Sequence, residues 1–197
     1  YGNYYGIVLD DGAVAENNRV YNNSQAGIRS SDNQQQIIRS NHIYSNKIGV
    51  DSRRNNDLIE NNLIYDNSQA GVRLDNADDA IVRNNTIYQL AGTGIALTSD
   101  SRFVTLRNNI VRSDDGLALS VSSNSQEGFD SDYNIFQLGT DADLLQWGSE
   151  VFDNRLDIFF FLDLESNSLL TDPEFIDIDG DDGILGYDSA TETDGGL

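Results

Sequence analysis

The chain has 197 residues, with no cysteine, no methionine, one proline (Pro173), one lysine (Lys47), one histidine (His42) and one tryptophan (Trp147). Without cysteine there is no disulfide framework, and thiols give no reading of the redox compartment. Basic residues are scarce too: 12 stand against 33 acidic ones, a formal charge of -21. Such a surface repels nucleic acid and anionic membranes. An anionic polysaccharide would need a local basic stripe or bridging cations. No apolar run has the length of a membrane span, and no signal peptide is visible. The missing methionine leads us to expect a processed chain or a piece of a longer one, since Tyr1-Gly2-Asn3-Tyr4-Tyr5-Gly6-Ile7 already reads as part of a repeat.

What the sequence does have is a period. The string Asn-Asn-x-Ile-Tyr recurs as Asn17-Asn18-Arg19-Val20-Tyr21, Asn61-Asn62-Leu63-Ile64-Tyr65 and Asn84-Asn85-Thr86-Ile87-Tyr88, with the variants Asn41-His42-Ile43-Tyr44 and Asn108-Asn109-Ile110-Val111. A glycine follows each, at Gly27, Gly49, Gly71, Gly94 and Gly116, with gaps of 22, 22, 23 and 22 residues. A fixed period of this kind is the mark of a solenoid, whose repeats bury their faces against one another.

Aligned on its asparagines, each repeat gives three short β segments rich in branched side chains. One ends before the Asn (Ile37-Ile38-Arg39), one follows it (His42-Ile43-Tyr44), and one starts at the glycine (Gly49-Val50-Asp51-Ser52). Three strands per turn predict a triangular coil, with equivalent strands stacked in parallel about 4.8 Å apart. Side-chain alternation predicts three inward columns. They are Ile38, Ile59, Val82, Leu106; Val20, Ile43, Ile64, Ile87, Val111; and Ile28, Val50, Val72, Ile95, Leu117. Asn18, Asn41, Asn62, Asn85 and Asn109 are expected to form a coil-to-coil amide ladder, and Asn23, Asn46 and Asn67 a shorter one. Two outward columns alternate in charge: Glu16, Arg39, Glu60, Arg83, Arg107, broken at its last step, and Arg29, Asp51, Arg73. Opposite charges side by side are what stacking favours. A leucine-rich repeat is excluded because L-x-x-L-x-L is missing, and no six-residue period supports a left-handed helix.

On these strings residues 6–136 resemble the right-handed parallel β-helix of secreted bacterial proteins, a fold shared with pectate lyases and alginate epimerases. The expected fold is all-β: about six coils over residues 1–136, a capping extension over 137–176 and an acidic tail over 177–197. The extension holds Trp147 and the run Ile158-Phe159-Phe160-Phe161-Leu162, and reads as a cap over the open end or as a subunit interface. The string Thr171-Asp172-Pro173-Glu174-Phe175-Ile176-Asp177 resembles one that closes the helix in β-helix surface proteins of planctomycete-like bacteria. In the tail, Asp177, Asp179, Asp181 and Asp188 fall at ligand positions of an EF-hand-type calcium loop, with Ca2+ the expected ion. Asp182 stands where that loop needs glycine.

The family's enzymes act on uronans or pectin through clustered acids and a basic residue, and those strings are missing here. His42 lies at a variable position, Asp172-Pro173 is not followed by histidine, and Arg53-Arg54, Asp10-Asp11-Gly12 and Asp114-Asp115-Gly116 read first as turns. The column Tyr21, Tyr44, Tyr65, Tyr88 has two readings: an outward aromatic stripe for carbohydrate, or a stack at a corner. The expected function is an extracellular or cell-surface structural or adhesive scaffold, partnered by polysaccharide or by copies of itself. The alternatives are a polysaccharide lyase or uronan C5-epimerase using the face around Arg29, Asp51, Arg53 and Arg73, and a carbohydrate-binding module using the tyrosines.

Overall fold

A computed structural model describes residues 1–179, 183–188 and 190–195. The chain winds into a parallel β-solenoid of about six turns. One face stacks Tyr5–Leu9, Ala26–Ser30, Ile48–Ser52, Ala70–Asp75 and Thr93–Thr98. A second stacks Arg19–Tyr21, His42–Tyr44, Leu63–Tyr65 and Thr86–Gln89. The third runs from Val14–Glu16 through Ile37–Arg39, Leu58–Glu60, Ile81–Arg83 and Thr105–Arg107 to Asp130–Asp132. Every contact between equivalent strands in these coils is parallel and in register, as Ile38 opposite Ile59 and Ile43 opposite Ile64 illustrate. The inward columns are buried as the alternation predicts: Ile28, Ile38, Ile43, Val50, Ile59, Ile64, Val72, Val82 and Ile87 have no exposed surface.

The last coils depart from the pattern. Ile110–Val121 is one continuous strand that joins the first two faces, its residues 110–113 pairing with Thr86–Gln89 and 117–121 with Thr93–Leu97. The removed corner shifts the register, so Leu119, not Leu117, lies opposite Ile95, and Ala118 takes the place expected for Gly116. Gly116 instead sits at φ 101° within the long strand.

The glycine column exists because backbones approach closely there. A Cβ on Gly49 would stand 2.5 Å from the Gly71 carbonyl oxygen and 2.8 Å from Ile64 Cγ2. The paired asparagines divide two tasks. The first residue of each pair (Asn17, Asn61, Asn84, Asn108, with Ser40 in one coil) turns the corner with φ between 54° and 57°. Asparagine tolerates that left-handed backbone better than most residues. The second makes the ladder. Asn18, Asn41, Asn62 and Asn85 each donate to the next Oδ1 at 3.0–3.1 Å, and Asn109 donates to Asn134. The second ladder runs Asn23, Asn46, Asn67 and is continued by Gln89.

Past residue 136 the coil continues in space although its sequence period has ended. Ile135–Trp147 pairs with Ile110–Val121, and Leu169–Leu170 adds a further parallel strand. Between them lies an eight-residue helix, Arg155–Leu162, capped by the Asn154 side chain, which accepts from the Leu156 N–H at 2.8 Å. It ends at Asp163 in left-handed conformation. Ile158 turns into the core and closes its end. The cap also finishes the ladder, because Asn134 donates to buried Glu165 and to Ser168. Burial pushes the Glu165 carboxyl up in pKa against its bonds from Ser131, Ser168 and Asn134. Asp132 clasps the cap loop through Asn167 N at 2.6 Å, Asn167 Nδ2 at 2.7 Å and Ser166 Oγ at 3.0 Å. Burial alone would raise the Asp132 pKa, but these bonds and the Tyr133 N–H outweigh it and bring it to about 2.

Candidate functional site

The outward charged columns close on themselves. Glu16 pairs with Arg39 at 2.6 Å and Glu60 with Arg83 at 2.8 Å. The like-charged step at Arg107 is relieved by Asp130 of the next coil, 2.5 Å away. On the first face, fully buried Asp51 holds Arg53 and Arg73, each at 2.9 Å, and Arg53 reaches Asp75 at 3.3 Å. The hydrogen bond to Asp51 is the main reason the Arg53 pKa is raised. Arg29 spans the Tyr5 ring and donates to the Tyr5 hydroxyl. On the face around Arg29, Asp51, Arg53 and Arg73, Arg53 and Arg73 are engaged with Asp51 and Arg29 with Tyr5, while the buried Arg73 Nη2 has no hydrogen-bond partner among the described residues and Arg54 is exposed beside them. Asp10 accepts from Ser31, and Asp11 sits at φ 55° in a turn. Asp114 is held by Arg112 at 2.9 Å and receives the Tyr88 hydroxyl at 2.6 Å. His42 is exposed on the second face.

The tyrosines do project outward from the second face, alternating with the inward Val20, Ile43, Ile64 and Ile87. Their rings stack nearly parallel, with centroids 5.1 Å apart for Tyr21 and Tyr44 and 4.8 Å for Tyr44 and Tyr65. Tyr1 extends the stack beyond Tyr21, and the Arg112 guanidinium lies 4.5 Å from the Tyr88 centroid. The exposed stripe expected for carbohydrate is not what forms. Ile178, Leu185 and Tyr187 of the tail pack on the column, and Tyr44, Tyr65 and Tyr88 keep only 0%, 1% and 3% of their surface. An apolar ring gains by covering, at about 25 cal/mol per Å². Desolvation, then the bond to Asp114, pushes the Tyr88 pKa up to about 12. The covering residues come from a stretch with no repeat, so periodicity gave no sign of them.

The acidic tail folds in part into a hairpin, Gly186–Asp188 against Thr193–Gly195. Asp188, the last ligand of the expected calcium loop, accepts from Ala190 N and Thr191 Oγ1, both at 2.8 Å. Those bonds lower its pKa and commit the carboxylate to its own turn. The Asp179 carbonyl accepts from Ile184 N. Asp181 lies outside the described residues. Among the described residues no three carboxylates or histidines converge as a metal site.

One surface is unlike the rest. The exposed large apolar side chains concentrate on the C-terminal cap: Val151 53%, Leu156 60%, Phe159 43%, Phe160 79% and Phe161 67%. Leu169 and Leu170, on the strand that ends the solenoid, are exposed beside them. The sequence run at 158–162 pointed to this segment. That four of the helix's apolar side chains face solvent follows from burial of Ile158 on the other side.

Stacked parallel coils with inward branched columns and amide ladders define a β-solenoid of the parallel-helix class. The chain matches the family described as the right handed beta helix region over residues 1–136, and it belongs to that family. No curated protein and no solved structure matches it.

Proposed function

We propose that the protein is a non-catalytic scaffold that associates with a second copy of itself through its C-terminal cap, in an extracellular or cell-surface setting. The observation that carries this reading is the exposed group Leu156, Phe159, Phe160 and Phe161 on a chain of charge -21. Two copies so charged repel each other except where their surfaces carry little charge. Large exposed apolar patches mark interaction sites, and aromatic residues anchor them. A patch on the end of a solenoid can meet its own copy across a twofold axis, the commonest geometry of homo-oligomers. The coil faces support the scaffold reading, because their charges are spent on ion pairs between coils. Sedimentation equilibrium over a wide concentration range tests it. A dimer for the wild type and a monomer for Phe160→Asp/Phe161→Asp are expected. A wild-type monomer at all concentrations, or a variant that dimerises equally, would sink the proposal. Release of unsaturated uronate from alginate or pectin would establish the lyase alternative instead.

A further inference from the structure

Independently of the cap, the acidic tail crosses the coils at the tyrosine column. Residues 172–197 hold nine acidic and no basic side chains. Like charge opposes laying such a segment on a chain of charge -21. It is fastened there by apolar contact of Ile178, Leu185 and Tyr187 with the column, and by the bond from Tyr187 N to Ser45 Oγ at 2.8 Å. At this contact three rings from distant parts of the chain meet. Tyr187 lies 5.2 Å from Tyr21 at an interplanar angle of 44°, and 6.3 Å from Tyr1 at 38°. Tyr1 stacks on Tyr21 at 5.1 Å and is 72% exposed. Deeper in the column, Tyr44 and Tyr65 stack at 4.8 Å and 7° and are buried.

We propose that Tyr21 and Tyr187 form an oxidative cross-linking site, at which a one-electron oxidant of the peroxidase class, fed by hydrogen peroxide, joins the tail to the first coil as a dityrosine. The oxidant takes one electron and the phenolic proton from each ring. The two phenoxyl radicals form a carbon–carbon bond between positions ortho to oxygen, and the hydrogen on each of those carbons returns to its oxygen. The pair has then lost two hydrogens, and one peroxide has become two waters. The chain lacks the oxidisable sulfur side chains of cysteine and methionine, so oxidising equivalents fall on its aromatic rings. Exposed Tyr1, stacked on Tyr21, gives the oxidant an entry to the pair. The new bond needs ring edges rather than faces to meet. Tyr187 is half-buried and already tilted toward Tyr21, whereas buried Tyr44 and Tyr65 lie face to face. Tyr4 and Tyr5 are also close, with centroids 4.6 Å apart, but they are consecutive residues and a bond between them fastens no second segment. A bond from Tyr21 to Tyr187 makes permanent a contact that charge opposes, in a chain that has no cysteine to do so by disulfide.

Oxidation of an equal mixture of unlabelled and ¹⁵N-labelled protein by a plant peroxidase and hydrogen peroxide, followed by tryptic digestion and mass spectrometry, tests this. Cleavage after Arg19, Arg29 and Arg155 places the two rings on peptides 20–29 and 156–197. These peptides should appear joined through Tyr21 and Tyr187, two hydrogens lighter than their sum and in unmixed isotope pairs, because the bond lies within one chain. Tyr21→Phe and Tyr187→Phe, which keep the ring packing, should each lose this product. Tyr1→Phe should keep it at reduced yield. Ile178→Asp/Leu185→Asp, which puts charge into the docking contact, should lose most of it. Absence of the joined peptides, joined peptides in mixed isotope pairs alone, or a yield unchanged by Ile178→Asp/Leu185→Asp would each overturn the assignment.

Discussion

Replacing Asn62 with alanine isolates the ladder's contribution. The Asn62 Oδ1 accepts from Asn41 N and from Asn41 Nδ2, both at 3.0 Å, and its Nδ2 donates to Ile38 O at 2.8 Å and Asn85 Oδ1 at 3.0 Å. The residue is 2% exposed, so water does not replace these partners. Asn62→Ala orphans two donors on Asn41 and one carbonyl, while Asn85 Oδ1 keeps the Asn62 N–H at 3.0 Å. At about 1–3 kcal/mol for a buried unsatisfied group, softened by relaxation, the expected loss is about 3–6 kcal/mol. Asn18→Ala is the control, because Asn18 begins the ladder and no amide of an earlier coil donates to its Oδ1 among the described residues. It removes the donation to Asn41 and should cost about 1 kcal/mol. Urea unfolding measures both, and hydrogen exchange should show the Asn62→Ala damage confined to its own and adjoining coils, as nearest-neighbour stacking demands. A loss below about 1 kcal/mol, or one equal to that of Asn18→Ala, would refute the view that the amides hold the coils together.

Three further outcomes follow from the same structure. Asp57 is fully buried and accepts from Ser30, Ser52 and Gln36 N; burial, the leading cause, raises its pKa above 3.8. A raised carboxyl pKa favours the fold below the unfolded value and loses that contribution as pH rises through the folded one. Asp57→Asn should therefore gain stability relative to wild type near neutral pH and lose the advantage in acid, read from urea midpoints; a constant difference would contradict this. Tyr88 titrates at about 12 against an ordinary 10, so its contribution is intact below 10 and fades between 10 and about 12. The tyrosinate difference spectrum of Tyr88→Phe should lack one ring titrating near pH 12, and an unchanged spectrum would contradict the assignment. Calcium at Asp177, Asp179, Asp181 and Asp188, expected from the sequence, is checked by melting with and without EDTA. A native-state ligand at a hundred times its Kd adds about 2.7 kcal/mol, and an unshifted melt removes calcium from the account.

The coils were legible because their cause is local and repeated. Branched inward residues, corner asparagines and glycines under close approach recur in most turns up to residue 109, and the ion pairs Glu16–Arg39 and Glu60–Arg83 match the register. Legibility fails where one residue answers to a distant partner. Gly116 reads as the next repeat glycine, but the merged strand 110–121 puts Ala118 opposite Gly94. The tyrosine column reads equally as stripe or stack, and what covers it is a segment reaching back 142 positions, from Tyr187 to Ser45. The helix at 155–162 is short and nearly apolar all round, so periodicity does not separate its buried side from its exposed one.

The cap-to-cap association is most directly tested by cysteine cross-linking, which this cysteine-free chain allows without background. Asp157→Cys places one thiol on the exposed helix of the cap, and Asp11→Cys places one near the opposite end of the solenoid. Under mild oxidation the account predicts a disulfide-linked dimer from Asp157→Cys and none from Asp11→Cys at equal concentration. Equal yields, or a dimer from Asp11→Cys alone, would contradict it.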